Sequence, residues 1–413
     1  MRHFYDESSG LKAARASAHL AGNPGVKSAD DRPGLAIVGV GMMGREHMRV
    51  AHLLGRTVLR GIYDQSPASL ELASHEMVQL KEPAPYHYPS LEAVFADPAV
   101  DAVIISTPNY THWELVRVAL SSGKALLVEK PMATRLQDAL SMVEAVRDYQ
   151  GLFQLGMQYR FKAQYVDLFA AVKNDRALGD VKTISMSEYR PQFLDKVKQW
   201  NKFNVYSGGT LVEKCCHYFD LINQMAGALP QSVYASGGAA VNFLDFDYAG
   251  DRSDIDDHAF VIINYCNDIR ASFCLNMFSQ ELYEELVVVG DKGRAVASEN
   301  ATFKRDEPSR GILQLEVTGH PLYTPVDVSY PRAIEESGHS GATFFAQECF
   351  LDRLAGSEAD GATAMQGLWA IIVASAAQKS MRENAVVDIN EFLGDYGTSV
   401  SALAGDRQRS PSV

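Results

Sequence analysis

No apolar run in the sequence approaches the roughly 18 residues that a membrane-spanning helix requires. Cysteine is scarce. The five present, at 215, 216, 266, 274 and 349, form an odd set with no CxxC pair, which argues against a secreted disulfide framework and for reduced thiols. Basic residues are in the minority: 38 Lys+Arg stand against 51 Asp+Glu, a formal net charge of −13. Such a chain has no electrostatic footprint for nucleic acid or for an anionic membrane surface. The first residues, MRHFYDESSGLKAARASAHL, lack both an apolar core segment and a twin-arginine pair, so no export signal is read there. The expectation is a cytoplasmic protein with neither nucleic-acid nor membrane partners.

What is present is an ordinary globular composition, 46% hydrophobic and 22% charged, over 413 residues. That length is two to three domains' worth at about 100–200 residues each. Residues 1–33 are polar and punctuated by Gly and Pro, as in a flexible arm or an oligomer contact. From Gly34 to Gly156 short apolar runs alternate with amphipathic stretches: strands near 35–38, 58–63, 102–106 and 126–128, helices near 43–54, 67–80, 111–122 and 135–149. Strands alternating with helices of that length predict βαβ units and a parallel sheet. Residues 157–393 differ, with β-rich stretches at 181–189, 232–240, 258–264, 270–277 and 286–289 and helical patterns over 209–226 and 343–382, the latter broken near 356–361. Turn residues between these strands predict a mostly antiparallel sheet. A loose tail is expected over 394–413. The fold class is therefore α/β: an N-terminal Rossmann, doubly wound parallel sheet, then a C-terminal α+β domain with an open, mostly antiparallel sheet.

Gly39-Val-Gly41-Met42-Met43-Gly44 follows the first predicted strand and opens a helix. The first glycine permits a tight turn, the second lets a pyrophosphate approach the backbone, and the third lets helix and strand pack closely. Asp64 ends the second strand, where a carboxylate binds ribose hydroxyls and repels a 2′-phosphate. Gln65, Ser66 and Pro67 follow it with no Arg, so NAD is expected over NADP.

Further motifs follow in order: Thr107-Pro108-Asn109-Tyr110-Thr111-His112, Glu129-Lys130-Pro131, Tyr159-Arg160-Phe161, and Gly208-Gly209-Thr-Leu-Val-Glu213-Lys-Cys-Cys-His217-Tyr-Phe-Asp220. Over Gly34 to Leu393 this series resembles the glucose–fructose oxidoreductase, inositol dehydrogenase and rhizopine catabolism family, abbreviated Gfo/Idh/MocA. The resemblance implies that Thr107, Pro108, Asn109, His112, Glu129 and Lys130 join the glycines, Met42, Met43 and Asp64 at the cofactor. It implies that Lys130 stands beside the nicotinamide and the substrate hydroxyl. It further implies a homo-oligomer, dimer or tetramer, formed through the open sheet. Two positions depart from the family pattern, GGxLxDxGxHxxD: Glu213 replaces Asp, and Cys215 replaces Gly.

Oxidising an alcohol with NAD requires a base for the hydroxyl proton and a donor near the developing alkoxide. His217 is the candidate base, since its ordinary pKa lies near 6.5. Glu213, four residues before it, would share its helix face and fix its tautomer. Lys130 is the candidate electrophile or relay, against the plain alternative of a surface lysine. Arg160, Trp200, Asn201 and Asp220 are candidate substrate contacts, and a solvated helix face is the bland reading of the Glu213–Asp220 stripe. The six aspartates within 242–257 fit a solvated hairpin loop better than a metal loop, having no EF-hand spacing. His339 reads as part of a capping turn rather than a pocket residue. No metal is expected: adjacent Cys215 and Cys216 point about 100° apart on a helix. A balance of −11 falls in residues 157–393, which disfavours anionic substrates. The expected activity is reversible NAD-dependent oxidation of a secondary hydroxyl on a neutral sugar, glycoside or polyol. The alternatives are a glycosidase or lyase that recycles NAD through a transient keto-sugar, and a non-catalytic sugar- or NAD-sensing regulator.

Overall fold

In the computed structural model, residues 31–302, 309–321 and 325–407 are described. Nearly all of the arm expected over 1–33, and the last part of the tail, lie outside them. Five strands form the first sheet: β1 (Gly34–Val38), β2 (Val58–Tyr63), β3 (Ala102–Ile105), β4 (Ala125–Glu129) and β5 (Phe153–Gly156). They run parallel in the order β2-β1-β3-β4-β5. Every residue of β1, β3, β4 and β5 is buried, the reason these strands appear as unbroken apolar runs. Between them lie helices Met42–Leu54, Pro67–Gln79, His112–Ala119 and Leu136–Arg147, and a short helix, Leu91–Ala96, that the periodicity does not predict. Pro67 opens its helix, and the Ser66 hydroxyl caps it by accepting from the Ser69 N–H.

This first compact unit comprises the chain to residue 133, residues 138–162, and a returning segment, 330–365. In the segment, helix Ala342–Leu354 packs on helix Met42–Leu54. The Leu155 N–H donates to Ala362 O at 2.9 Å. The expected division at 156/157 places 330–365 with the second domain, because local periodicity holds no information about which sheet a helix joins.

The second unit holds β6 (Val181–Tyr189), β7 (Pro230–Gly238), β8 (Asp247–Tyr248), β9 (Asp251–Arg252), β10 (His258–Tyr265), β11 (Arg270–Asn276), β12 (Leu282–Gly290), β13 (Gly293–Ala301), β14 (Arg310–Val317), β15 (Val326–Val328) and β16 (Val387–Asp388). Nine of them form a sheet in the order β15-β14-β13-β12-β6-β11-β10-β7-β16, antiparallel throughout except at β6–β11. Helix Ala364–Glu383 meets one face, where Ser380 Oγ accepts the Ala235 N–H at 2.8 Å. On the other face Tyr189, Tyr234, Phe260 and Ile262 are exposed. Strands β13 and β14, which the sequence pattern does not predict, lengthen the sheet.

Three local expectations change. The helix expected over 209–226 is two, Thr210–Glu213 and Cys216–Ala226, broken at Lys214 and Cys215. Residues 400–407 form a helix with Leu403 buried, rather than a loose tail. The aspartate-rich stretch contains the β8–β9 hairpin, and its last member, Asp257, is buried. Among the described residues no group of three or more His, Cys, Asp or Glu is placed to hold a metal ion, and no helix is long and apolar enough to cross a membrane.

Candidate active site

Because the strands of the first sheet are parallel, their carboxyl ends share one edge. β1 and β3 are neighbours there, which is the switch point where doubly wound sheets bind ligands. The Gly-rich loop leaves β1 at this place. Gly39 has φ +86°, and a Cβ on it would come within 2.7 Å of the Thr107 backbone nitrogen. A Cβ on Gly44 would lie 2.0 Å from Gly39 O. Gly41 is different: a Cβ there would meet nothing within 4 Å, so the space beside it is open. It caps helix Met42–Leu54, whose first turn has neither a side-chain cap nor an acidic residue. Unsatisfied N–H groups and an open cradle are what a pyrophosphate requires, so the residues present fit a dinucleotide. Met42 is half exposed beside this turn, and Met43 is partly covered. Asp64, at the end of β2, accepts the Val40 and Ser66 N–H groups, each at 2.8 Å. It therefore braces the loop, and a carboxylate oxygen with a second lone pair can still accept from a ribose hydroxyl.

The other motifs of this edge are bound to one another. Thr107 Oγ1 lies 2.6 Å from Thr111 Oγ1, whose hydroxyl donates to Pro108 O at 2.7 Å. Asn109 is buried within this turn. His112 is buried between two carbonyls, with Nδ1 2.7 Å from Pro131 O and Nε2 2.9 Å from Thr107 O. Burial pushes its pKa down, against the two carbonyl hydrogen bonds, and the ring sits as a tie between the two loops. The Lys130–Pro131 peptide is cis. Glu129 is buried and turned toward helix Met42–Leu54, where its Oε1 is 2.9 Å from His47 Nε2. Lys130 is only partly covered. Arg160 sits in a short turn, Gln158–Phe161, just beyond β5 and thus in the first unit, not with the sheet of the second.

In the second unit, Gly208 and Gly209 both have positive φ, +82° and +83°. A Cβ on Gly209 would lie 2.3 Å from Asn204 Oδ1, and Gln378 Nε2 donates to Gly208 O at 2.8 Å. The turn launches helix Thr210–Glu213, and after the break the chain continues as Cys216–Ala226. Glu213 and His217 therefore occupy consecutive helices rather than one face of a single helix. The break does not expose the polar stripe: Glu213, His217 and Asp220 are 4%, 2% and 1% exposed, as buried as Leu211, Phe219 and Ile222 opposite. A solvated helix face is excluded. Cys215 has φ −81° and ψ −7°, a conformation open to any residue, so its backbone does not need the family's glycine. Its thiol is fully buried, which raises its pKa well above the usual range.

Two lysines with no signal in the sequence stand beside these residues. Lys196 Nζ is 3.2 Å from Glu213 Oε1 and 4.5 Å from the Trp200 ring centre. Glu213, with one methylene more than Asp, reaches this ammonium. Lys214 is buried, with Nζ 3.1 Å from Glu188 Oε1 on β6. Trp200 is thus stacked by a cation, and Asn201 is fully buried with its Nδ2 donating to Leu194 O at 3.0 Å. A lysine in a loop rich in lysines carries no local mark, and only the fold selects Lys196.

Residues 34–157 match the family described as the oxidoreductase family, NAD-binding Rossmann fold, GFO_IDH_MocA, and residues 171–389 match its C-terminal alpha/beta domain. The chain belongs to the Gfo/Idh/MocA oxidoreductase family. It is an oxidoreductase with an NAD-binding Rossmann domain. A myo-inositol 2-dehydrogenase of Thermotoga maritima is 23% identical over 366 residues, 87% of this chain and 99% of that protein. A 2,7-anhydro-N-acetylneuraminate hydratase of Escherichia coli is 28% identical over 206 residues, 49% and 52% of the two chains. Levoglucosan dehydrogenase, solved with NADH and levoglucosan, shares the fold with a TM-score of 0.72 at 18% identity, over 87% of this chain and all (100%) of that one.

Proposed function

We propose that this Gfo/Idh/MocA oxidoreductase reversibly oxidises a secondary hydroxyl of a neutral sugar, glycoside or polyol such as an inositol, using NAD in preference to NADP. The observation that carries the reading is the burial of Glu213, His217 and Asp220 behind a tandem-glycine turn. Three ionisable side chains within eight residues are not withdrawn from water without a compensating use. When bound, a nicotinamide dinucleotide supplies the hydride acceptor. Gly39, Gly41 and Gly44 would receive its pyrophosphate, and Asp64 would hold the ribose hydroxyls and repel a 2′-phosphate. The nearby Arg45 and Arg49 both turn to the Glu76 carboxylate. Thr107, Pro108, Asn109 and His112 would shape the adjoining wall. Lys130 would polarise the reacting oxygen and His217 would take the hydroxyl proton. Glu213, anchored by Lys196, would hold the imidazole tautomer. Arg160, Trp200, Asn201 and Asp220 would contact or border the substrate.

One relative, a hydratase, supports a second reading on the same residues. Oxidation next to a C–H acidifies it, so a substituent can be eliminated and the cofactor regenerated. A panel of inositols, hexoses and glycosides with NAD and with NADP, followed through the NADH absorbance band, separates the two. Accumulating NADH supports the dehydrogenase, and turnover without it supports elimination. Silence across all sugars with turnover of an unrelated carbonyl compound would refute both. Lys130→Met is expected to abolish turnover while NADH still binds. The reading includes a cytoplasmic location, in keeping with five cysteines of which none is in a disulfide. It also includes a homo-oligomer formed across the open face of the larger sheet.

A further inference from the structure

Helix Met42–Leu54 carries two adjacent buried ionisable residues, Glu46 and His47. Helix Ala342–Leu354 meets them with Thr343 and Gln347, one turn apart on a single face. Thr343 Oγ1 donates to Glu46 Oε1, and His339 Nδ1 lies 2.7 Å from the same oxygen. Gln347 Oε1 is 3.2 Å from His47 Nδ1, while Glu129 Oε1 is 2.9 Å from His47 Nε2. His47 is thus held at both ring nitrogens, with Nε2 on the Glu129 carboxylate and Nδ1 on the Gln347 amide. Burial alone would lower its pKa, but the hydrogen bond and charge of Glu129, with Gln347 and Glu46, raise it overall. The second oxygen of Glu129 accepts the Lys130 backbone N–H at 3.2 Å. A Cβ on Gly156 would come 2.8 Å from Glu129 Oε1, so the carboxylate is packed closely against β5.

We infer that His47 is a positioning residue for Lys130: it holds the Glu129 carboxylate turned into the fold and neutralises it, so that Lys130 follows a compensated pair rather than a bare negative charge. The functional weight of this pairing rests on the role proposed for Lys130 above. The charged and titratable groups facing the pair come from several elements. Glu46 shares the helix of His47 and is itself engaged by His339. Lys130 adjoins Glu129 on β4, and His112 faces both from its own helix. Helix Ala342–Leu354 meets Glu46 and His47 through the uncharged Thr343 and Gln347.

The test is the titration of the Lys130 amine itself, read by carbon NMR after reductive methylation with labelled formaldehyde and assigned by the signal lost in Lys130→Arg. In His47→Gln the Glu129 charge is uncompensated, and the Lys130 midpoint is expected to rise by about half a pH unit or more. Adding Glu129→Gln should bring it back to within a few tenths of the wild-type value. The pH profile of kcat should move and return in parallel, which a purely structural role for His47 would not produce. An unchanged midpoint in His47→Gln, or a shift that Glu129→Gln does not reverse, overturns the inference. If His47→Gln cannot fold, the double variant should fold, because removing one partner of a buried pair costs more than replacing both. Continued unfolding of the double variant would equally overturn it. A wild-type protein inactive on every polyol would sink the proposed activity and leave this titration readable.

Discussion

Two glycines of the loop after β1 should respond to alanine in opposite ways. Gly39 has φ +86°, and its added Cβ would lie 2.7 Å from the Thr107 nitrogen and 2.8 Å from the Ser106 carbonyl carbon, both backbone atoms that cannot turn aside. The left-handed conformation costs about 1–2 kcal/mol with a Cβ, and forcing an atom into packed backbone adds about 1–3 kcal/mol. Gly39→Ala should therefore lose about 2–5 kcal/mol, which in a unit of this size lowers Tm by roughly 5–15 °C. Gly41 meets nothing within 4 Å and has φ −64°, so Gly41→Ala should stay within about 1 kcal/mol of the wild type in stability. Its methyl group would instead occupy the cradle, and NADH affinity should fall by about tenfold or more, or about 1.4 kcal/mol. Thermal melts without cofactor, beside NADH fluorescence titrations, measure both quantities. Equal Tm values for the two variants, or unimpaired NADH binding by Gly41→Ala, would refute the division of labour between these glycines.

Asp257 accepts the N–H groups of Ala240, Val241 and Asn242 at 3.0, 2.8 and 2.7 Å. Burial would raise its pKa, but these donors and His258 hold it below the usual carboxylate range. The folded pKa is depressed, so its contribution to stability is full above the unfolded value, about 3.9, and is lost as pH falls through the folded value. Asp257→Asn should cost about 1–3 kcal/mol near neutrality. Acid denaturation followed by circular dichroism should then show a shallower loss below pH about 4. Among the thiols, exposed Cys266 should react quickly with a chromogenic disulfide, while buried Cys215 stays unreactive until the protein unfolds; rapid labelling of native Cys215 would contradict its burial. Phe260→Arg, at a side chain 63% exposed in the middle of the open sheet face, should convert an oligomer to a folded monomer in sedimentation velocity. An unchanged sedimentation coefficient would place self-association elsewhere.

Features encoded within a few residues are legible in the amino-acid sequence alone. Gly39, Gly41 and Gly44 can be assigned separate tasks because a tight turn, an open cradle and a helix–strand contact are local demands of one loop. The parallel sheet can be read from β1, β3 and β4 because strands buried on both faces must be apolar without alternation. The spacing of Glu213, His217 and Asp220 identifies the polar stripe, although not the helix break at Lys214 and Cys215 that runs through it. Only tertiary structure decides what that stripe is. The same letters describe a solvated face or a buried site, and the difference lies in what covers them. The return of residues 330–365 to the first unit is likewise invisible in the sequence, because helix Ala342–Leu354 has the same pattern whichever neighbour it packs on. The pair of His47 with Glu129 joins positions 82 residues apart, and its Gln347 support is 300 residues from His47. Contacts at that range leave no period in the chain. They arise when strands and helices close on one another, and the packing that follows turns an unremarked histidine into the partner of Glu129 in the Glu129-Lys130-Pro131 motif.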